Sequence, residues 1–405
     1  MADVFVARQP IFDRKLNVVG YELLFRGAAT QQALVISPDG ATASVVLNSF
    51  TEIGLERIVG SRPAWVNVSR EFVLSGLAET VPAGLIMLEI LENQVIDEQL
   101  IGTLRELKRR GYQLALDDFE YSPEAEPLLE LVDVVKLDLL ALGRENFTRH
   151  VGRLRPRGIA LVAEKLETRG DYAYCANAGC DLFQGFFFCE PELLSDLGIS
   201  ANRASLLRVV GALQDPSVDF PQLERLIGRD VALSFRLLRY INSAFFGLLC
   251  EVRSIGQALA LLGVENLKRW ATLSVLISID NKPPELTLTA LIRARFCELA
   301  GQRLALASPG ELFTLGLFSV IDALMDSTME KVLASIPFPP DMSEALIAHA
   351  GDKGRLLDCV AALERGDFDL AQSILHGSGE LYLDSLTWAD AAADSLFDQP
   401  RAAAA

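Results

Sequence analysis

The chain has 405 residues, of which 54 are acidic, 37 are basic and three are histidines, and its formal net charge is −17. Without a Lys/Arg-rich tract, this charge excludes long nucleic acids and anionic membrane surfaces as partners, because affinity for both comes from neutralising negative charge. The histidines His150, His349 and His376 stand in no metal-ligand spacing, so a site built mainly of imidazoles is excluded as well. Any bound metal is therefore expected to be held by oxygen atoms.

The length predicts two domains, because one hydrophobic core seldom grows beyond roughly 250–300 residues. No apolar run approaches the ~18 residues of a membrane span, and the first residues lack the basic and apolar stretches of a signal peptide. We therefore expect a cytoplasmic protein. Its six cysteines are scattered among apolar residues and are expected to be reduced thiols.

Strand patterns and helical patterns alternate over roughly the first 190 residues. Two strand patterns flank the turn sequence DRKLN and predict a hairpin, and a helix over 97–111 is predicted to end before Gly111. Further strands are predicted over 64–69, 85–90, 113–119, 134–140, 159–166 and 181–188, with helices over 41–54, 145–155 and 168–179. Several of these strands are apolar on both faces, as parallel strands covered by helices are. The pattern favours a βα barrel or a doubly wound sheet.

From about residue 197 the sequence shows helical apolar spacing and no convincing strand pattern. Helices are predicted over 221–247, 255–278, 286–306 and 310–336. The boundary between the halves is expected near 191–200, and the alanine-rich end is expected to be frayed. The predicted organisation is an α/β barrel domain over 1–195, an all-helical domain over 200–398 and a disordered tail over 399–405.

Polar side chains stand among apolar neighbours on most predicted strands of the first half. A charge on a buried strand is costly unless it is paired or bound to a metal, and the C-terminal strand ends of a βα barrel converge on one mouth. Several carboxylates with an amide oxygen suit Mg²⁺ or Mn²⁺, and a lysine among them suits a phosphate oxygen or a metal-bound water. These side chains are Glu22, Asn67, Glu89, Asp117, Asp118, Lys136, Asp138, Glu164 and Gln184.

A buried salt-bridge network at the barrel mouth is the alternative interpretation, with Lys136 paired to Asp117 or Glu164. The two interpretations predict different occupants of the space among the carboxylates. A cation there would favour an enzyme, whereas Lys136 or Lys165 filling that space would exclude one.

Seven motifs in chain order resemble those of the EAL domain, a module that hydrolyses cyclic di-GMP on a modified βα barrel. They are QPI with VGYELLFR, VNVS, LEILE, LDDF, VKLD, AEKLET and QGF. The resemblance implies a Mg²⁺ or Mn²⁺ cofactor and places its ligands at Glu22, Asn67, Glu89, Asp117 and Asp118.

The same resemblance implies roles for six further residues. Lys136, Glu164 and Gln184 would orient the attacking water and the phosphodiester. Gln9 and Arg26 would contact the substrate. Glu92 would hold the loop that follows LDDF.

The segment after Asp118 departs from the EAL pattern. The family has Gly-x-Gly-Tyr-Ser there, whereas this chain continues from Phe119 into the sequence EYSP, so both glycines are absent and the loop is two residues shorter. Glycine allows positive φ and a close backbone approach, so the loop is expected to be rebuilt. Lys165 replaces a family glycine beside Glu164 and is expected to pair with a carboxylate and compete with a cation.

The second half resembles the HDOD domain, an all-helical relative of the HD phosphohydrolases. The resemblance is carried by Asn242-Ser243-Ala244, Phe246-Gly247, Ser254-Ile255 and Leu262-Gly263. Where HD enzymes have their metal-binding His-Asp pair, this chain has Ser319-Val320. We therefore expect a non-catalytic sensory or protein-interaction module.

Three functions stay open from the sequence. The leading hypothesis is an EAL–HDOD signalling protein in which hydrolysis is weak or lost. The second is an active cyclic di-GMP phosphodiesterase that gives linear diguanylate, and the third is a protein–protein scaffold without nucleotide binding. The expected partners are cyclic di-GMP, a regulatory protein bound by the helical half, and a second copy of the chain in a homodimer.

Overall fold

The computed structural model describes residues 5–26, 55–91, 94–122, 125–191, 201–215, 217–228, 237, 241, 252, 254–277, 279, 282–306 and 308–396. Contacts within the chain divide it into two compact units. The first unit contains the residues up to Phe188 together with Ala362–Leu370, and the second contains Cys189–Ala361 and the described residues from Ala371 onward. The predicted helix over 41–54 and the predicted tail over 399–405 lie outside the described residues.

Eight strands of the first unit close into a barrel. β1 pairs antiparallel with β2 and with β8, whereas every other neighbouring pair is parallel. The strands are β1 (Phe5–Asp13), β2 (Val18–Arg26), β3 (Ala64–Val68), β4 (Ile86–Leu91), β5 (Gln113–Asp117), β6 (Val134–Asp138), β7 (Ala160–Glu164) and β8 (Leu182–Gln184). The closed sheet confirms the modified barrel and rules out the open, doubly wound alternative.

Helices follow most of the parallel strands of the first unit. They are α1 (Leu55–Val59), α2 (Arg70–Leu74), α3 (Glu98–Arg109), α4 (Glu126–Leu129), α5 (Leu139–Leu154) and α6 (Arg169–Ala178). α3 begins after Asp97, whose carboxylate accepts from the N–H of Leu100 at 2.8 Å, and it ends before Gly111 in the left-handed conformation. Its buried face carries Leu100, Leu104 and Leu107, as the helical spacing predicts.

The strand register brings the polar side chains to one end of the barrel. Asn67 lies opposite Glu89 on neighbouring strands, and Gln9 lies opposite Glu22. β5, β6, β7 and β8 end at Asp117, Asp138, Glu164 and Gln184. The C-terminal strand ends therefore form the mouth that the sequence predicts.

The strand predicted over 181–188 is wrong in its second half. β8 ends at Gln184, and Phe186–Cys189 forms a turn of 3₁₀ helix. Gly185 causes the break, because its φ is +139° and a Cβ there would lie 2.2 Å from the carbonyl oxygen of Leu166. Only glycine permits this approach of two backbones.

The described residues of the second unit contain helices and no strand. They are α7 (Ala201–Gln214), α8 (Phe220–Gly228), α9 (Ile255–Ile277), α10 (Pro284–Arg303), α11 (Pro309–Phe318), α12 (Ile321–Met325), α13 (Met329–Leu333), α14 (Pro340–Ala348), α15 (Gly351–Glu364), α16 (Phe368–Ile374) and α17 (Ser378–Leu396), of which the last residues of α15 and the first of α16 group with the barrel. Among the described helices, none has the length and apolar character needed to cross a membrane.

Candidate active site

Lys136 lies among four carboxylates at the mouth of the barrel. Its Nζ is 2.7 Å from Glu164 Oε1, 2.9 Å from both Glu89 Oε1 and Asp117 Oδ1, and 3.0 Å from Glu22 Oε2. All five side chains are buried. The ion pairs offered above as the alternative interpretation are therefore present, and they include two acids more than that interpretation named.

This Lys136 cluster holds four carboxylates against one ammonium. Burial, together with Glu22, raises the pKa of Glu89 well above its ordinary value. Burial also raises the pKa of Glu164 to about 8, although Lys136 opposes the change. Burial lowers the pKa of Lys136, but the surrounding carboxylates outweigh it and raise that pKa. Because uncompensated buried charge is costly, further positive charge, as protons or a cation, would stabilise the cluster.

Two amide groups fix the orientation of Glu22. Asn67 Nδ2 donates to Glu22 Oε1 at 2.9 Å. Gln184 Nε2 donates to Glu22 Oε2 at 2.6 Å and to Gln9 Oε1 at 3.0 Å. The three amide residues and Glu22 therefore form one connected network on β1, β2, β3 and β8.

Several buried oxygen atoms at this mouth accept no hydrogen bond from any described residue. They are Asn67 Oδ1, Gln184 Oε1 and both carboxylate oxygens of Glu89, one of which has only the ion pair with Lys136. A buried oxygen without a donor costs about 1–3 kcal/mol. Carboxylate and amide oxygens are ligands that hard divalent cations prefer, so these orphaned atoms fit a bound cation.

The carboxylate oxygens form two overlapping groups. Those of Glu22, Glu89 and Asp117 lie within 4.8 Å of one another, and so do those of Asp117, Asp118 and Glu164. A cation bound by each group would share Asp117. The acids that the EAL resemblance assigns as metal ligands are therefore close enough to act together.

Asp118 stands at the rim of the mouth and faces Lys165. Lys165 Nζ lies 2.5 Å from Asp138 Oδ2 and 3.6 Å from Asp118 Oδ1. Burial and the neighbouring Asp117 raise the pKa of Asp118, and Lys165 opposes this change. Lys165 therefore pairs with carboxylates, as the sequence predicts.

Helix α5 anchors the rebuilt loop after Asp118. The N–H of Tyr121 donates to His150 Nε2 at 3.3 Å, and the Arg153 guanidinium lies 3.8 Å from the centroid of the Tyr121 ring. The Tyr121 hydroxyl donates to Glu126 Oε2 at 3.1 Å. Side chains on α4 and α5 thus hold a segment for which the family uses glycines, while Pro123 lies outside the described residues.

A cavity of about 360 Å³ opens at the mouth. Neither Asn67 nor Glu89 lines it, whereas the exposed Arg365 does. Arg365 carries no motif and stands far along the chain, so no signal in the sequence points to it. The predicted site residues that line the cavity are Gln9, Glu22, Asp117, Asp118, Lys136, Glu164 and Gln184. Two predicted contacts, Glu92 and the side chain of Arg26, lie outside the described residues.

Known proteins resemble both halves of the chain. The model of the EAL domain matches residues 70–191, and that of the HDOD domain matches residues 202–336. The uncharacterized protein YuxH of Bacillus subtilis (strain 168) is 33% identical over 399 residues, which cover 95% of this chain and 98% of YuxH. The cyclic di-GMP phosphodiesterase CdgJ of Vibrio cholerae is 34% identical over 373 residues, which cover 91% of this chain and 86% of CdgJ. The chain belongs to the EAL–HDOD family.

Solved structures resemble the barrel of this EAL–HDOD protein. The Bacillus subtilis YkuI protein, solved with cyclic di-GMP and calcium, is 24% identical with a TM-score of 0.36, and the match covers 46% of this chain and 55% of YkuI. The EAL domain of Mycobacterium smegmatis DcpA is 26% identical with a TM-score of 0.36, and that match covers 45% of this chain and 91% of the domain.

The second half of this EAL–HDOD chain contains two histidines, His349 and His376, both beyond the residues that match the HDOD model. His349 is the C-cap of α14 and its Nδ1 lies 2.6 Å from Asp358 Oδ1. The described residues of this unit bring no three His, Cys, Asp or Glu side chains together as a metal site. Of the residues that carry the HDOD resemblance, 242–244 and 246–247 lie outside the described part of the chain.

Proposed function

We propose that the barrel of this EAL–HDOD protein hydrolyses one phosphodiester bond of cyclic di-GMP and releases linear diguanylate. The observation that carries the proposal is the Lys136 cluster, in which four buried carboxylates exceed the charge of one ammonium beside buried oxygens without donors. The likeness to CdgJ over most of both chains adds support. Mg²⁺ or Mn²⁺ is the proposed cofactor.

The proposed ligands of this cation are Glu22, Asn67, Glu89, Asp117 and Asp118. A bound divalent cation supplies positive charge that stabilises the negative charge developing on the phosphate. The two acidic groups that share Asp117 provide the oxygen atoms that such an ion requires.

The remaining residues of the cluster act on the water and the phosphodiester. Glu164, a buried carboxylate in the acidic group with Asp117 and Asp118, is the proposed general base that takes a proton from the attacking water. Lys136 holds that carboxylate in place at 2.7 Å. Gln184 orients Glu22 and Gln9 with its two amide donors, and Gln9 offers an amide group to the phosphodiester. The water oxygen forms a bond to phosphorus as the bond to the ribose oxygen breaks. The ribose oxygen takes up a proton from solvent as it leaves, and Glu164 returns its proton to solvent.

A specific observation favours a second candidate function, nucleotide binding with weak or no hydrolysis. The ammonium of Lys136 lies in the space among the carboxylates, and Lys165 pairs with Asp118 at the rim. A divalent cation has to compete with both lysines for these oxygens. Lys136 fills the space whose occupation by a lysine was expected to exclude an enzyme. We nevertheless rank hydrolysis first because one ammonium does not balance four buried acids, and the raised pKa values of Glu89 and Glu164 indicate that further positive charge is favoured there.

For the helical unit we propose a non-catalytic role as a protein-interaction module. The sequence replaces the His-Asp pair by Ser319-Val320, and no metal-binding group is found among the described residues of this unit. The regulatory partner and the homodimer stay predictions.

One experiment tests both proposals. Pure protein is incubated with cyclic di-GMP and Mn²⁺ or Mg²⁺, and the products are separated by chromatography. We expect linear diguanylate from the wild type and from Glu71→Ala, whose exposed acid lies outside the cavity, and none from Glu22→Ala. A wild type that binds the nucleotide without turnover would establish the second candidate. A parallel incubation replaces the nucleotide by bis(p-nitrophenyl) phosphate, and its hydrolysis by Glu22→Ala would contradict the non-catalytic helical unit.

A further inference from the structure

The first unit includes a segment that is far from the barrel in sequence, Ala362–Leu370. It lies beyond residue 336, where the match to the HDOD model ends. Helix α15 ends in this segment with a Schellman motif, in which the N–H of Asp367 donates to the carbonyl of Ala362 at 2.8 Å and Gly366 has a φ of +75°. Arg365 occupies the C-cap position, so this motif fixes its backbone.

A chain of hydrogen bonds joins the segment to the Lys136 cluster. Gln9 Nε2 donates to the carbonyl of Glu364 at 3.2 Å. Gln184 donates to Gln9 and to Glu22. The residue before Arg365 is therefore two side chains away from a proposed metal ligand.

Three cationic side chains are among the described residues that line the cavity: Lys136, Lys165 and Arg365. Lys136 contacts four carboxylates, and Lys165 pairs with Asp138 and Asp118. Arg365 forms no ion pair with any residue that the structure describes. Of these three cations, Arg365 is therefore the one that remains available to an anion entering the cavity.

The position of Arg365 against an aromatic ring also suits an anion. Its Cζ lies 5.5 Å from the centroid of the Phe186 ring. Packing of a guanidinium against a ring restricts its motion and leaves N–H groups at its edge free to donate. Two parallel N–H donors match two phosphate oxygens, which the single ammonium of a lysine does not reproduce.

We propose that Arg365 binds a phosphate group of the nucleotide and is a further substrate-binding residue of the barrel. The inference rests on the proposed function, because it takes cyclic di-GMP as the ligand. Each of the two phosphodiester groups of this ligand carries one negative charge. The cavity is lined by five carboxylates, those of Glu22, Asp117, Asp118, Glu164 and Glu167, so an anionic ligand needs a cationic contact at the mouth.

The test is a calorimetric titration of the full-length protein with cyclic di-GMP in the presence of Ca²⁺, after which chromatography checks that the nucleotide is intact. Arg365→Ala is expected to weaken binding about tenfold or more, since it removes charge-assisted hydrogen bonds. Arg365→Lys is expected to recover only part of the affinity. Arg105→Ala, which removes an exposed arginine on α3 outside the cavity, is the matched control. Thermal unfolding and Mn²⁺ affinity of Arg365→Ala are expected to equal those of the wild type.

The outcomes separate this inference from the proposed function. If the wild type binds cyclic di-GMP and Arg365→Ala binds it equally well, Arg365 is not a ligand contact and the proposed function stands. A wild type that does not bind the nucleotide overturns both. If Arg365→Ala loses nucleotide and Mn²⁺ affinity together, or melts earlier, Arg365 has a structural role and the inference is also overturned.

Discussion

Lys165 holds two acids at the rim of the barrel with its own backbone in the left-handed region. Its φ is +54°, and Asp118 opposite has a φ of +44°, a conformation that costs a residue other than glycine roughly 1–2 kcal/mol. Asp138, its nearer partner, is itself fixed, because its carboxylate accepts from the N–H groups of Leu140 and Ala141 at the start of α5. The rim is therefore a charged contact maintained against backbone strain.

We predict that Lys165→Gly binds Mn²⁺ several-fold more tightly than the wild type. Glycine adopts this φ without strain, and removal of the ammonium frees Asp118 and lowers the competition for the group that Asp118 forms with Asp117 and Glu164. Isothermal calorimetry with Mn²⁺ alone measures the change. Lys165→Arg keeps the charge and is expected to bind Mn²⁺ as weakly as the wild type. Equal Mn²⁺ affinity in Lys165→Gly and the wild type would show that the rim pair does not compete.

The sequence predicted the site residues that stand on strands, but it did not predict those that only the tertiary structure brings to the site. Glu22, Glu89, Asp117 and Glu164 stand on separate strands, and the geometry of a barrel brings C-terminal strand ends together. The spacing of these motifs along the sequence gives no distances between side chains, so it could not predict that Lys136 contacts all four carboxylates. Arg365 was missed because a helix C-cap with arginine and glycine is common, and only the folded chain places this one at the mouth.

The end of helix α15 shows how a single element positions Arg365. The Schellman motif requires a positive φ at Gly366, and a Cβ at that position would lie 2.6 Å from Leu24 Cδ1 on β2. Gly366 is therefore required both by the positive φ of the turn and by the close contact of the turn with β2.

We predict that Gly366→Ala destabilises the protein by about 1–3 kcal/mol and weakens the binding of cyclic di-GMP. Alanine at this φ has a strained backbone, and its Cβ must also displace the side chain of Leu24. Gly158→Ala is the control, because Gly158 has a φ of +73° and nothing lies within 4 Å of its Cβ position. Alanine at residue 158 therefore introduces backbone strain without a steric clash. Chemical denaturation measures stability, and titration with the nucleotide measures affinity. A loss of stability in Gly366→Ala no larger than in Gly158→Ala would contradict the close packing against β2.

The sequence predicted the ends of a helix correctly where a capping residue or a glycine marked them. The helix predicted over 168–179 is α6, which begins after Thr168 with a capping box to Asp171 and ends at Gly179. The helix predicted over 310–336 is in fact three helices. α11 ends at the C-cap Ser319, and α12 ends at the C-cap Asp326, which is in the left-handed conformation. Neither residue is a glycine or proline, so apolar spacing alone predicted one continuous helix.

At the scale of the whole molecule, the first unit is discontinuous along the chain. The predicted barrel domain ends at residue 195, but the compact unit also contains Ala362–Leu370. The matches to the EAL and HDOD models cover residues 70–191 and 202–336 and do not reach this segment. Seven ordered motifs could therefore predict the barrel and its acids, while the later segment depends on contacts that no motif encodes.

This discontinuity predicts that a chain ending at residue 195 forms an incomplete barrel unit. Loss of the later segment removes the hydrogen bond from Gln9 to Glu364 and the packing of Gly366 on Leu24, so amides of β1 and β2 are expected to exchange with solvent faster than in the full-length protein. β5 and β6, on the opposite side of the closed barrel, are expected to keep their protection and serve as the internal control. Hydrogen exchange read by mass spectrometry measures both regions. Equal protection of β1 and β2 in the two chains would show that the barrel is complete without Ala362–Leu370. Faster exchange confined to β1 and β2 would show that the segment stabilises these two strands.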